Sequence, residues 1–130
     1  MITPSLNAGL SMLQALTLFI DQGSANATFV FYDDSKPADT TVPANESARL
    51  VTMELPKPSF KRLKNTSIEL YPTGEGTIVK TGKAVWARLY NGEGIAVMDF
   101  DCTVDMALDT VDLVIGASYD LDSIEFFPSV

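Results

Sequence analysis

The string Ile95-Ala-Val-Met-Asp99-Phe-Asp101-Cys-Thr103 has the residue types and spacing closest to reaction chemistry. A hydrophobic strand running into Asp-x-Asp-x-Thr can supply an aspartate nucleophile for phosphorus, a second aspartate for the leaving group, and carboxylates for magnesium. That phosphatase chemistry needs a parallel α/β domain after the motif and a catalytic lysine. Only Val104–Val130 follows, and it reads as strands and contains no lysine. Alternation gives a simpler reading. Asp99, Asp101, Thr103 and Asp105 share one face, while Phe100, Cys102, Val104 and Met106 share the other. This describes a half-buried strand with an acidic outer face and an inward cysteine. Every second residue on a strand is ~6.6 Å apart, so calcium at Asp99–Asp105 would need ligands from neighbouring segments as well. On this reading, changing Asp99 and Asp101 to Asn leaves assembly nearly unchanged and at most slightly stabilises the isolated domain, by relief of like-charge repulsion.

The other chemical candidates are weaker. Gly74-x-Gly76 and Gly92-x-Gly94 lack the third glycine and the following helix of a phosphate cradle, so they read as turns. Asp33-Asp34 has no acid/base partner in sequence, and Trp86 reads as a core or barrel-end aromatic before a ligand platform. The chain contains no histidine, which removes the commonest general base and zinc ligand. Its single cysteine, Cys102, excludes an intrachain disulfide and a cysteine metal cluster. The expectation is a non-enzyme with no catalytic, cofactor or metal site.

A net charge of −8 over 130 residues disfavours nucleic acid and anionic membrane surfaces as partners. The charge is uneven. Asp99, Asp101, Asp105, Asp109, Asp112, Asp120, Asp122 and Glu125 have no Lys or Arg among them, whereas Lys57, Lys61, Arg62 and Lys64 hold four of the nine basic residues. A solvated acidic face beside a basic loop accounts for this. So does a head-to-tail contact between copies, basic loop against acidic face.

These residues need elements to position them. Thr3-Pro4 reads as an N-cap with proline at the first helical position, and Gly23 as the stop, giving a helix over about residues 4–22. Leu6, Leu10, Leu13 and Phe19 or Ile20 keep helical spacing. Met12, Leu16 and Leu18 fill much of the remaining circumference, so the helix needs cover on more than one side. Met12, Leu16, Leu18 and Phe19 are therefore candidate partner contacts, together with Lys57, Lys61, Arg62 and Lys64. The helix carries no basic flank, contains Gln14 and ends at Asp21, so it is not expected to be a signal or a span of the ~20 residues a membrane requires. The sequons at Asn26, Asn45 and Asn65 read as ordinary turn and strand residues.

The remainder, about residues 26–127, reads as strands: Asn26–Asp33, Ala48–Leu55, Ser67–Tyr71, Thr77–Lys80, Lys83–Tyr90, Ile95–Val104, Thr110–Ile115 and Leu121–Phe127. Pro72–Gly76 is a hairpin-like turn, and Asn91-Gly is the strongest short hairpin signal. Asp33–Glu46 is a polar loop, long enough to be functional or packed on a partner. The expected fold is one mainly β domain over 1–130, an antiparallel β-sandwich or jelly-roll-like barrel with one N-terminal α-helix.

The order of segments carries a resemblance. A Leu6-Asn-Ala-Gly-Leu10-Ser-Met-Leu13 helix precedes a strand ending Phe31-Tyr32-Asp33, with Lys36-Pro37-Ala38 just after. Then come Ala84-Val-Trp86-Ala-Arg88-Leu-Tyr90-Asn, an alternating strand, Asp112-Leu-Val-Ile115-Gly116-Ala, and Ile124-Glu-Phe126-Phe-Pro128. In this order the chain resembles small β-rich virion structural proteins of tailed bacteriophages and prophages. Pro56–Tyr71, with its basic cluster, departs from that pattern. The resemblance implies a capsid decoration or cement protein, or a neck or tail piece, located in the virion, oligomeric, and partnered by other virion proteins. A carbohydrate-binding module at a tail tip is the other reading; exposed Trp86, Tyr90 and Tyr71 near an acidic calcium site would be its signature.

Overall fold

In the computed structural model, which describes residues 3–106, 108 and 110–128, the first helix begins two residues later than its sequence signals suggest. Ser5, not Thr3, is the cap: its hydroxyl accepts from the Ala8 amide at 3.2 Å, and helix α1 runs Leu6–Ile20. Pro4 stays outside. At the far end Asp21 caps the helix, and its carboxylate accepts from the Ser59 amide at 3.1 and 3.2 Å. Gly23 lies beyond the helix at φ +99°, where a side chain would also collide with the Gly92 backbone.

Among the described residues eleven strands follow: β1 Thr28–Tyr32, β2 Arg49–Glu54, β3 Phe60–Leu63, β4 Ile68–Leu70, β5 Gly76–Thr77, β6 Gly82–Lys83, β7 Trp86–Tyr90, β8 Ala96–Asp101, β9 Asp112–Leu113, β10 Ser118–Tyr119 and β11 Ile124–Phe126. They form antiparallel sheets ordered β2-β1-β7-β8, β11-β4-β3, β10-β5 and β6-β9. The protein is therefore mainly β with one N-terminal helix. The strand orders are open, and among the described residues no sheet closes into a barrel.

The β7–β8 hairpin forms where Asn91-Gly signals it. The Asn91 carboxamide oxygen accepts from the Glu93 and Ile95 amides, and its nitrogen donates to the Phe19 carbonyl at the end of α1. Three other expectations change. Pro72–Gly76 is a crossover, since β4 pairs with β3 and β11 while β5 pairs with β10. Thr73 decides this: its amide donates to the Leu121 carbonyl and its hydroxyl accepts from the Leu121 amide, extending the β4–β11 ladder. The basic segment is partly strand, with Lys61 and Arg62 on β3. Residues 102–105, expected to continue the alternating strand, instead form a turn after Asp101. Cys102 is buried as expected, but Val104 is turned out to solvent.

Most core side chains lie between the four-stranded sheet, the three-stranded sheet and α1. Phe29, Phe31, Val51, Met53 and Leu89 meet Ile68, Leu70, Ile124 and Phe126, with Leu10 and Ile20 of the helix in the same cluster. Val30, Tyr32, Ala48 and Trp86 form a second, smaller cluster. Strand β1 thus feeds two cores with successive residues. Its apolar run Phe29-Val-Phe31-Tyr32 follows from burial on both faces.

Candidate functional site

Three places hold the residues singled out from sequence: the helix, the basic segment, and the sheet face carrying Asp99. Helix α1 buries Gly9, Leu10, Thr17 and Ile20; Leu13 and Leu16 are half-buried against the core. Met12 is 63% exposed and Leu18 is 70% exposed. At 3.6 residues per turn these two lie about 120° apart, so they do not form one patch. Met12 shares its stripe with Ala8, Ala15 and half-buried Phe19, at i, i+3 and i+7 or one turn back. Leu18 stands on the other flank beside Asn7, Ser11 and Gln14.

The basic residues are brought together, but against this chain's own groups. Glu69 receives Arg62 at 2.6 Å and Lys61 at 3.6 Å, and the Arg62 guanidinium holds its carboxyl below the usual carboxylate range. Lys64 pairs with Glu125 across the three-stranded sheet, and Lys57 donates to the Gly23 carbonyl. Two carboxylates on neighbouring strands thus offset part of the charge of these four cations. A head-to-tail contact with a second copy would have to compete with these pairs.

Asp99 overturns the expectation of an outer acidic face. Its side chain is 5% exposed and that of Arg88 on β7 is 2% exposed, and the two form a forked pair, Nε to Oδ1 at 2.6 Å and Nη2 to Oδ2 at 3.1 Å. The remaining guanidinium capacity goes to main-chain carbonyls of the long loop: Nη1 to Val42 at 2.8 Å and Nη2 to Asp39 at 3.4 Å. The aspartate raises the Arg88 pKa further above its ordinary value. Arg88 also sits over the Trp86 ring at 5.1 Å, and Trp86 stacks on Tyr32 at 4.5 Å. The Trp86 indole donates to the Asp34 carboxylate at 2.7 Å. The loop's ends are held as well, by Lys80 on Asp33 and by the Asn45 cap of a short 3-10 turn at Glu46–Ala48. Asp33–Glu46 therefore roofs the second face of the sheet. Asp99→Asn is therefore expected to cost stability instead of being mild, because that carboxylate is the counter-ion of a buried arginine.

Asp101 and Asp105 are engaged in the turn after β8. Asp101 accepts from the Thr103 amide and hydroxyl, which lowers its pKa, and its own amide donates to Asp105. Asp109 lies outside the described residues. Among the described residues, no group of three or more Cys, Asp and Glu side chains is placed to hold a metal ion, and none of the helices is long and apolar enough to cross a membrane. Cys102 is buried, and burial, followed by Asp101 and Asp105, pushes its thiol up to about 12. At pH 8 the native protein is expected to leave a thiol reagent unconsumed over minutes, with full reaction in denaturant. Rapid native labelling would contradict this placement.

The sequence reading missed Arg88. The signal that could have found it is the hairpin itself, followed by counting outward from the turn for a cross-strand opposite charge. That count succeeds only with the register shift between Leu89 and Tyr90, which sets Arg88 opposite Asp99. No protein-family model, curated protein or solved structure matches this chain.

Proposed function

We propose that this chain is a non-enzymatic structural protein of a tailed-phage particle, seated on the capsid surface as a decoration or cement protein. Its partners on this reading are other virion proteins and further copies of itself, with no nucleic acid or membrane contact. Its location is the virion, and its four- and three-stranded sheets are the two layers of a sandwich. The observation that carries the reading is the exposed apolar Ala8–Met12–Ala15 stripe of α1, continued by half-buried Phe19, while the far side of the helix is fixed in the core. The segment-order resemblance supplies the setting. Covering one such large apolar side chain contributes about 1.5–3 kcal/mol, which suits a centre of contact. Placement in the neck or tail is the second reading and uses the same stripe. A sugar-binding platform finds less support, since Trp86 is sealed beneath the long loop.

The test is Met12→Lys. Wild-type protein is expected to sediment as an oligomer at micromolar concentration. The variant is expected to sediment as a monomer with an unchanged circular dichroism spectrum and melting temperature. Leu18→Lys, on the opposite flank, is expected to keep more of the association. A wild-type monomer, or an oligomer indifferent to Met12→Lys, would remove the helix from the contact.

A further inference from the structure

Strands β8 and β11 are the edges of their sheets, and a cleft of about 310 Å³ opens between them. Its floor is apolar and buried, made by Phe29 of β1, Leu121, and Ile124 and Phe126 of β11. Phe100 of β8 forms one wall, its ring stacked on Phe126 at 6.1 Å. Protein interiors leave few voids larger than a water molecule, so a space of this size reaching Phe29 is not ordinary packing slack. It is about twice the roughly 150 Å³ of an apolar cavity that takes up benzene. Phe127 stands at the rim, 65% exposed, and offers a further ring face to whatever fills the space.

The polar side chains lie at the mouth. Asp105 and Ser123 are exposed, and Glu125 is half-buried. The two ionised carboxylates accept hydrogen bonds and cannot donate. Asp105 already accepts from the Asp101 amide at 2.7 Å, and Glu125 from Lys64 and the Ser67 hydroxyl, but each keeps acceptor capacity. Lys64 offsets Glu125, which leaves Asp105 as the carboxylate of this lining with no cation among the described residues. A ligand end that donates a hydrogen bond fits this mouth. A carboxylate end meets like charge, with the Ser123 hydroxyl the only donor among these three side chains.

We propose that this cleft binds a small uncharged amphiphile, its hydrocarbon body inside and a hydroxyl or N–H at the mouth. The body has the bulk of two fused aromatic rings or of a chain of comparable volume. Sites for such ligands are mostly apolar, carry a few polar groups that orient the bound molecule, and begin at about 300 Å³. Removal of the hydrocarbon from water drives the binding, so selection is by volume and by the chemistry of the end group. The site is independent of the virion reading and uses none of the helix-stripe residues.

The experiment titrates the full chain with N-phenyl-1-naphthylamine, a neutral probe that fluoresces in apolar surroundings, and displaces it with decanol or decanoate at neutral pH. Saturable binding of one probe per chain is expected, with decanol about tenfold or more the better competitor. Ser123→Trp, which places a large ring at the mouth, is expected to weaken probe and decanol by about tenfold or more. Met12→Lys is expected to bind both as wild type does. Circular dichroism reports whether Ser123→Trp is folded; if it is not, Ser123→Leu takes its place, with the same loss expected. No saturable binding, equal displacement by decanol and decanoate, or binding indifferent to the folded Ser123 variant would each overturn the proposal. Binding lost in Met12→Lys would do so as well. Sedimentation covers the other occupant: a wild-type oligomer that the Ser123 variant dissociates would place a second copy's side chain, such as exposed Leu63, in the cleft instead.

Discussion

Arg88→Met is expected to destabilise the protein by about 3–5 kcal/mol, because it leaves the Asp99 carboxylate buried without its counter-ion. Methionine keeps much of the apolar stem volume, so the loss reports chiefly on the charge and its hydrogen bonds. The Val42 and Asp39 carbonyls lose their donor in the same change, so the Asp33–Glu46 loop is expected to become a preferred site of limited proteolysis. Asp99→Leu alone is expected to be similarly costly, since it strands the arginine. The double variant Arg88→Met, Asp99→Leu is expected to recover most of the loss, because replacing a whole buried pair by apolar groups is close to neutral. Chemical denaturation of the four proteins measures the coupling. Additive losses would mean that the pair is not buried as described.

Trp86→Ala is the second large effect, expected at about 3–5 kcal/mol for a fully buried ring of this size. It removes the stack on Tyr32, the surface under Arg88 and the donor to Asp34 together. Trp86→Phe separates these contributions. It keeps a ring against Tyr32 but leaves the Asp34 carboxylate without the indole donor, and about 1–2 kcal/mol is expected for that smaller change. Loop protection from protease should fall in both. If Trp86→Ala melts within a few degrees of the wild type, the second cluster contributes little and the loop is held by its ends, Lys80–Asp33 and the Asn45 cap.

Much of the architecture is local and therefore legible. Helical spacing over Leu6–Ile20 marks α1, and the exposure of Met12 and Leu18 follows from the fact that one core-facing stripe cannot take every apolar position; Leu6, in the first turn, is exposed as well. The β-branched and aromatic run at Thr28–Tyr32 marks β1, and Asn91-Gly marks the hairpin. Inward Cys102 follows from the alternation that starts on β8. The helix ends are less legible, because Thr3, Pro4 and Ser5 all carry N-terminal signals and only geometry selects Ser5.

What the sequence by itself determined is periodicity, charge and the absence of histidine; what it left open is which partner each strand and each charge would find. A turn fixes register only if no residue is added to either strand, and the shift between Leu89 and Tyr90 displaces every pair beyond it. That displacement sets Asp99 opposite Arg88, where a carboxylate read as solvent-facing becomes half of a buried pair. The same limit holds for the chain's other long-range choices. Thr73 meets Leu121, Lys64 meets Glu125, and the Asp33–Glu46 loop returns over Trp86 and Arg88, each across dozens of residues. Local composition sets what a segment can bury or bond, but the choice among distant partners is made by packing the whole chain at once, because each contact's loop-closure entropy is offset only when its neighbours form with it.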